Sequence, residues 1–99
     1  MDVKLVDRGD TGELILNGKI DSQNAGEVEE LFLSVTDRFD NIVFNMKDLS
    51  YISSAGLRVL KKVYIQIHGK GGEVKATNVN EYVNEVFEMT GFARILNNS

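Results

Sequence analysis

Residues 42–46, Ile-Val-Phe-Asn-Met, form a short, nearly continuous apolar run between two stretches whose apolar residues recur every three to four positions. That arrangement constrains the fold more than any other feature of the chain. The run's length and composition suit a strand covered on both faces. Before it, Ala25, Val28, Phe32 and Val35, with Leu31 beside them, predict a helix from about Ser22 to Arg38. After it, Leu57, Leu60, Val63, Tyr64 and Ile67 share one face of a helix that starts at Ser54 and ends at His68-Gly69, with Gly69 placed as its C-cap. A strand set between helices calls for parallel pairing through right-handed crossovers.

The rest of the chain fits round this unit. Val3 and Leu5 alternate with Lys4, a turn-rich Arg8-Gly9-Asp10-Thr11-Gly12 follows, and Glu13 to Ile20 is too short an apolar run for a helix, so Met1 to Ile20 reads as a β-hairpin. Asp21, Ser22 and Asn24 are candidate N-caps for the first helix, and Glu27, Glu29 and Glu30 sit where the helix dipole favours acid. Lys47 to Ser53 reads as a polar–apolar loop and Lys70-Gly71-Gly72 as a turn. Glu73 to Ala76 is a short strand, and Asn80 caps a third helix with Val83, Val86 and Phe87 inward and Gly91 at its end. Phe92, Ile95 and Leu96 are expected to return to the core before a frayed tail, Asn97-Asn98-Ser99. The expected fold is α/β, in the order ββαβαβα: a single domain over 1–99, with a small mixed sheet of about four strands and three or more helices packed on it.

Composition removes whole classes of function. The 99 residues contain no cysteine, so there is no disulfide framework, thiolate nucleophile or thiolate metal site. The single histidine cannot build a multi-histidine metal centre. A net charge of −4 argues against nucleic-acid binding, and no apolar run reaches membrane-spanning length. The expected address is the cytoplasm, with no cofactor and no membrane insertion.

Chemistry concentrates in Asp48 to Leu60, Asp-Leu-Ser-Tyr-Ile-Ser-Ser-Ala-Gly-Leu-Arg-Val-Leu. Two serines fall where a strand passes into a helix, so Ser53 is a natural N-cap and Ser54 a cap or first-turn residue. Gly56 in the first helical turn costs about 1 kcal/mol against alanine, which points to close approach by a neighbouring element or a partner. Loops at the carboxyl ends of parallel strands are where ligands usually bind. The same serines are also what any helix start looks like, and both readings stand on the residues alone.

This segment resembles the signature loop and helix of the STAS family, the anti-sigma factor antagonists and their relatives. The hairpin, the Gly18-Lys19-Ile20-Asp21 step, the element order and the length resemble a stand-alone member. The resemblance implies a non-enzymatic switch that binds an anti-sigma factor, itself a serine kinase, and so releases a sigma factor. The kinase phosphorylates the antagonist and a serine phosphatase resets it; any nucleotide belongs to the partner. By position Ser54 matches the phosphorylated serine. Asp48 and Ser50 match the family's Asp-Leu-Ser, Gly56 and Leu57 its Gly-Leu, and Asp21 the acid after the second strand. Ser53 stands where the antagonists usually carry aspartate, and Ala55 where Ser or Thr is common, so the site lies at Ser54 or, as second choice, Ser53. The expected docking face comprises Asp21, Asp48, Ser50, Ser53, Gly56, Leu57 and Arg58, with Arg58 shielding the phosphate. The alternative is a constitutive STAS interaction module of a larger assembly or transport system, with no phosphorylation.

Other candidates are weaker. Ser54 as a hydrolase nucleophile lacks a base, because His68 lies fourteen residues along the same helix, roughly 20 Å away. Gly69-Lys70-Gly71-Gly72 follows a helix rather than preceding one, so it reads as a turn and not a phosphate loop. Glu27, Glu29 and Glu30 read as a solvated helix start. Lys61, Lys62, Lys70 and Lys75 are too few for a nucleic-acid patch. Tyr82, Phe87, Met89 and Phe92 are most simply core, with exposure of some of them on the third helix as part of a docking face as the alternative.

Overall fold

Gly9 turns the chain at the first position of a two-residue loop. Its φ of +85° is the left-handed conformation that a type II′ hairpin demands there. The loop joins β1 (Asp2–Arg8) to β2 (Thr11–Ile20), which pair antiparallel without a break from Asp2↔Asn17 to Arg8↔Thr11. There follow α1 (Ala25–Thr36), β3 (Asn41–Ile52), α2 (Ser54–Gly69), β4 (Val74–Thr77), α3 (Glu81–Thr90), a 3-10 turn (Phe92–Arg94) and β5 (Asn97–Asn98). This computed structural model describes residues 1–94 and 96–98. The sheet runs β1-β2-β3-β4-β5, and every pairing after the hairpin is parallel. Phe92 and Leu96 do return to the core; Ile95, expected with them, lies outside the described residues, as does Ser99.

Three crossovers step the same way across the sheet. Right-handed connections of that kind put their helices on one face. Leu14, Leu16, Ile20, Ile42, Phe44 and Met46 point into that face and meet Val28 and Phe32 of α1, Leu60, Val63 and Ile67 of α2, and Val83 and Phe87 of α3. The Phe32 and Phe44 rings lie 5.2 Å apart at its centre. On the other face Val6, Ile15 and Val43 are only half-buried. β3 is therefore covered on one side, not two.

Several boundaries differ from the sequence reading. Lys47 to Ile52, expected as loop, continues β3. The register slips between Ile15↔Asn45 and Asn17↔Asp48, and again between Gly18↔Leu49 and Lys19↔Tyr51, so β3 carries an extra residue at each bulge. Burial then recurs at Met46, Leu49 and Ile52, every third residue, and the period of two that marks a strand is lost. α1 begins at Ala25 rather than Ser22, because Asp21 and Asn24 hold a turn instead. Asp21 Oδ1 accepts from the Gln23 and Asn24 amides, and Asn24 Oδ1 accepts from the Asp21 amide. Gly69 is the last residue of α2, and the left-handed residue beyond it is Gly71, with a φ of +84°. Asn97–Asn98, expected as frayed tail, pairs with Lys75–Ala76 as the fifth strand. Hydrogen bonding along the outer edge of β4 needs only backbone, so a polar dipeptide gives no warning of it.

Candidate functional site

The site lies where β2 and β3 end together and α2 begins. Ile20 is the register partner of Ile52, and one residue on, the Ser53 amide donates to the Ile20 carbonyl at 2.9 Å. That bond brings Asp21, which follows Ile20, alongside the two serines. Ser53 is the N-cap of α2: its backbone is extended and its Oγ accepts from the Gly56 amide at 3.3 Å. Ser54 is the first helical residue and is exposed, and its hydroxyl makes no hydrogen bond among the described residues.

Gly56 is buried against the sheet. A Cβ there would lie 2.7 Å from Ile52 Cγ1 and 2.9 Å from Ile20 Cγ2. Glycine at this position lets the first turn of α2 sit directly on the ends of β2 and β3. The close approach expected from the sequence is thus made by neighbouring elements. Leu57 is 9% exposed and belongs to the core. Gly56 and Leu57, expected on a docking face, are buried where the first turn of α2 meets the ends of β2 and β3. Arg58 is exposed and forms no ion pair among the described residues.

Asp21 is already engaged. Besides its amide contacts, its Oδ2 lies 3.7 Å from Lys19 Nζ. Asp48 and Ser50 are exposed on the bulged part of β3. Ser50 Oγ donates to the Gly18 carbonyl at 3.0 Å, which ties down the second bulge. Asp48 is in register with Asn17, three residues before Ile20 and so roughly 10 Å back from the strand ends, and it flanks Ser54. His68 lies in the last turn of α2, stacked on Tyr64 with ring centroids 5.1 Å apart. Glu29 pairs across to Lys62 at 2.9 Å. Lys70 Nζ donates to the Thr36 carbonyl, which holds the glycine turn against the end of α1.

Sequence reasoning missed an aromatic pair beside the serines. Tyr51 and Tyr82 stack with centroids 6.0 Å apart and stay 40% and 46% exposed. Asn80 sets this geometry. Its Oδ1 caps α3 by accepting from the Val83 amide at 2.8 Å, and its Nδ2 donates to the Leu49 carbonyl at 2.7 Å. Tyr82 and Met89 follow the alternative of exposure on the third helix, Met89 at 85% exposure, whereas Phe87 and Phe92 are buried as core. The signal was available: Tyr82, Glu85 and Met89 fall on a different stripe from Val83 and Phe87.

A family model described as the STAS domain matches residues 2–98. The putative anti-sigma factor antagonist BtrV of Bordetella bronchiseptica is 37% identical over 81 residues, covering 81% of this chain and 70% of that protein. The anti-sigma-B factor antagonist of Bacillus subtilis is 28% identical over 79 residues, covering 80% and 72%. The solved structure of the anti-sigma factor antagonist SpoIIAA in its unphosphorylated form has a TM-score of 0.85 at 17% identity, covering 99% of this chain and 88% of that one. Its phosphorylated form gives 0.77 at 16% identity, covering 99% and 91%. The likeness to SpoIIAA is one of fold. No helix among the described residues is long and apolar enough to cross a membrane.

Proposed function

The chain belongs to the STAS domain family, and we propose that within it the protein acts as an anti-sigma factor antagonist switched by phosphorylation of Ser54. Unphosphorylated, it binds an anti-sigma factor that is also a serine kinase and so frees a sigma factor. The kinase transfers a phosphoryl group to Ser54 Oγ and the complex parts; a serine phosphatase restores the hydroxyl. The protein itself performs no catalysis.

The observation that carries this reading is the division of labour between the two serines. Ser53 Oγ is occupied as the helix cap, while Ser54 Oγ is exposed and unbonded among the described residues. This favours Ser54 over Ser53 as the acceptor. A phosphate there adds about −1.5 to −2 charge at a helix N-terminus, where free amides and the dipole favour an anion. The modified protein therefore stays folded. Its charge acts on the partner: an apolar or acidic surface docked over Ser54 must desolvate the phosphate, at a cost of several kcal/mol. Arg58, one helical turn on, shields part of that charge. The docking face centres on Ser54 and Arg58, with Asp21, Asp48, Ser50 and Ser53 round it and Gly56 and Leu57 beneath.

Mass spectrometry of the protein recovered from its own cells tests this. A phosphate on Ser54, absent from Ser54→Ala, is the expected result, and Ser54→Asp should lose the anti-sigma factor. Phosphate on Ser53 alone moves the site. No phosphate under any growth condition, with Ser54→Asp binding as the wild type does, overturns the switch and leaves a constitutive interaction module.

A further inference from the structure

β1 is an open edge of the sheet. Among the described residues its only strand partner is β2. Such an edge offers a row of unpaired backbone groups, and proteins usually blunt it with proline, a bulge, a short strand or inward charges. β1 relies on charge alone: Asp2, Lys4 and Arg8 lie on the helix-free face and Asp7 on the other. It is seven residues long, it pairs with β2 without a register shift, and the chain has no proline.

The hairpin determines which groups are free. With a two-residue loop, Arg8 and Thr11 form a hydrogen-bonded pair, and such pairs alternate along the ladder. Arg8, Val6, Lys4 and Asp2 therefore bond to β2, and Val3, Leu5 and Asp7 turn their amides and carbonyls outward. A second β1 can meet these groups antiparallel, about a twofold axis through Leu5. In that register Val3 faces Asp7 of the second copy, Leu5 faces Leu5 and Asp7 faces Val3, giving about six hydrogen bonds. The remaining positions place Asp2 opposite Arg8 at both ends, and Lys4 opposite Val6. No like charges stand directly opposite, and the pairs at the two ends are complementary. Asp2 and Arg8 lie on the helix-free face, since they pair with Asn17 and Thr11 there. On the other face half-buried Leu5 would be covered, and Leu31, 42% exposed, lines a cleft of about 160 Å³ with Met1 and Val3 beside the same edge.

We propose that β1 pairs with β1 of a second copy of this chain in this register, giving a continuous ten-stranded sheet with helices on one face. The twofold axis stands perpendicular to the sheet, so the two Ser54 ends point in opposite directions and neither is covered. The inference goes beyond the phosphorylation switch and does not depend on it.

Sedimentation velocity from about 10 μM to about 1 mM tests the pairing. The expected result is a monomer–dimer equilibrium that Asp2→Arg weakens at least tenfold. Arg8→Asp should weaken it similarly. An equimolar mixture of the two variants should dimerise again. In the mixed dimer the arginine introduced by Asp2→Arg faces the aspartate introduced by Arg8→Asp, and at the other end the unchanged Arg8 of one copy faces the unchanged Asp2 of the other. Arg8→Asp also removes the 2.7 Å ion pair to Glu13, so its fold is checked by circular dichroism; Asp2→Arg removes no side-chain hydrogen bond or ion pair among the described residues and carries the test if Arg8→Asp is unstable. A wild type that stays monomeric to about 1 mM overturns the proposal. So does a dimer indifferent to Asp2→Arg, or a mixture of folded variants that stays monomeric.

Discussion

The Ser53 amide donates to the Ile20 carbonyl at 2.9 Å, and this bond joins the ends of two strands to the start of the helix that carries Ser54. It extends the β2–β3 ladder one step past its last register pair, Ile20↔Ile52. The first turn of α2 is thus held by the sheet and not by a flexible loop. A modification at Ser54 then falls on a helix start that is anchored to the sheet.

Gly56→Ala should separate the helix start from the sheet. The added methyl lies 2.7 Å from Ile52 Cγ1 and 2.9 Å from Ile20 Cγ2. Overpacking of this kind costs about 1–3 kcal/mol, against which alanine recovers about 1 kcal/mol of helix propensity. Thermal unfolding should show a Tm lowered by several degrees. An unchanged or raised Tm would mean that the helix does not seat there as described.

The two serines should respond oppositely to mutation. Ser53→Ala removes the cap and should cost about 1 kcal/mol in urea unfolding, whereas Ser54→Ala should change stability by no more than about 0.5 kcal/mol. Ser54→Asp should be neutral or stabilising, by about 0.3–1 kcal/mol, because acid suits a helix N-terminus. If Ser54→Asp unfolds the protein, loss of partner binding by that variant says nothing about a docking face.

Asn80 makes two bonds that a single-atom change separates. Asn80→Asp keeps the acceptor for the Val83 amide and loses the donor to the Leu49 carbonyl. Asn80→Ala loses both. Denaturant unfolding should rank wild type above Asn80→Asp above Asn80→Ala, with the alanine variant down by about 1–3 kcal/mol. Equal losses for the two variants would assign the whole effect to the bond with Leu49.

Tyr82→Ala should leave stability nearly unchanged, since the ring is 46% exposed and stacks on another exposed ring. Its effect should fall on binding. A stacked tyrosine pair beside the proposed docking face has the character of an interface anchor, and truncating one should weaken the complex with the anti-sigma factor by at least 2 kcal/mol, about thirtyfold. Isothermal titration with wild type and Tyr82→Ala measures this directly. Equal affinities would place the aromatic pair outside the interface.

Much of this was legible in the chain. Spacing of three and four at Val28, Phe32 and Val35, and at Leu60, Val63 and Ile67, marked α1 and α2, and Asn80 and Gly91 marked the ends of α3. These signals are local: one element's own apolar stripe must find a core, whatever the rest of the chain does. The Ser53 cap was legible for the same reason, because cap and capped amide are three residues apart. Tyr82 shows the limit on α3, since its aromatic character left core and exposure both open and only packing chose exposure.

The sequence by itself determined the kinds of element, their order and the position of the serine pair, because each follows from residue spacing within one turn or one strand. Only the tertiary structure decided that β3 runs on through two bulges to Ile52, that Asn97–Asn98 closes the sheet, that Gly56 rests on Ile20 and Ile52, and that Tyr51 meets Tyr82. The strand pairings among these depend on register between segments far apart in the chain. A register shift of one residue turns every side chain to the other face, and the residues within a single strand do not specify which partner they will meet.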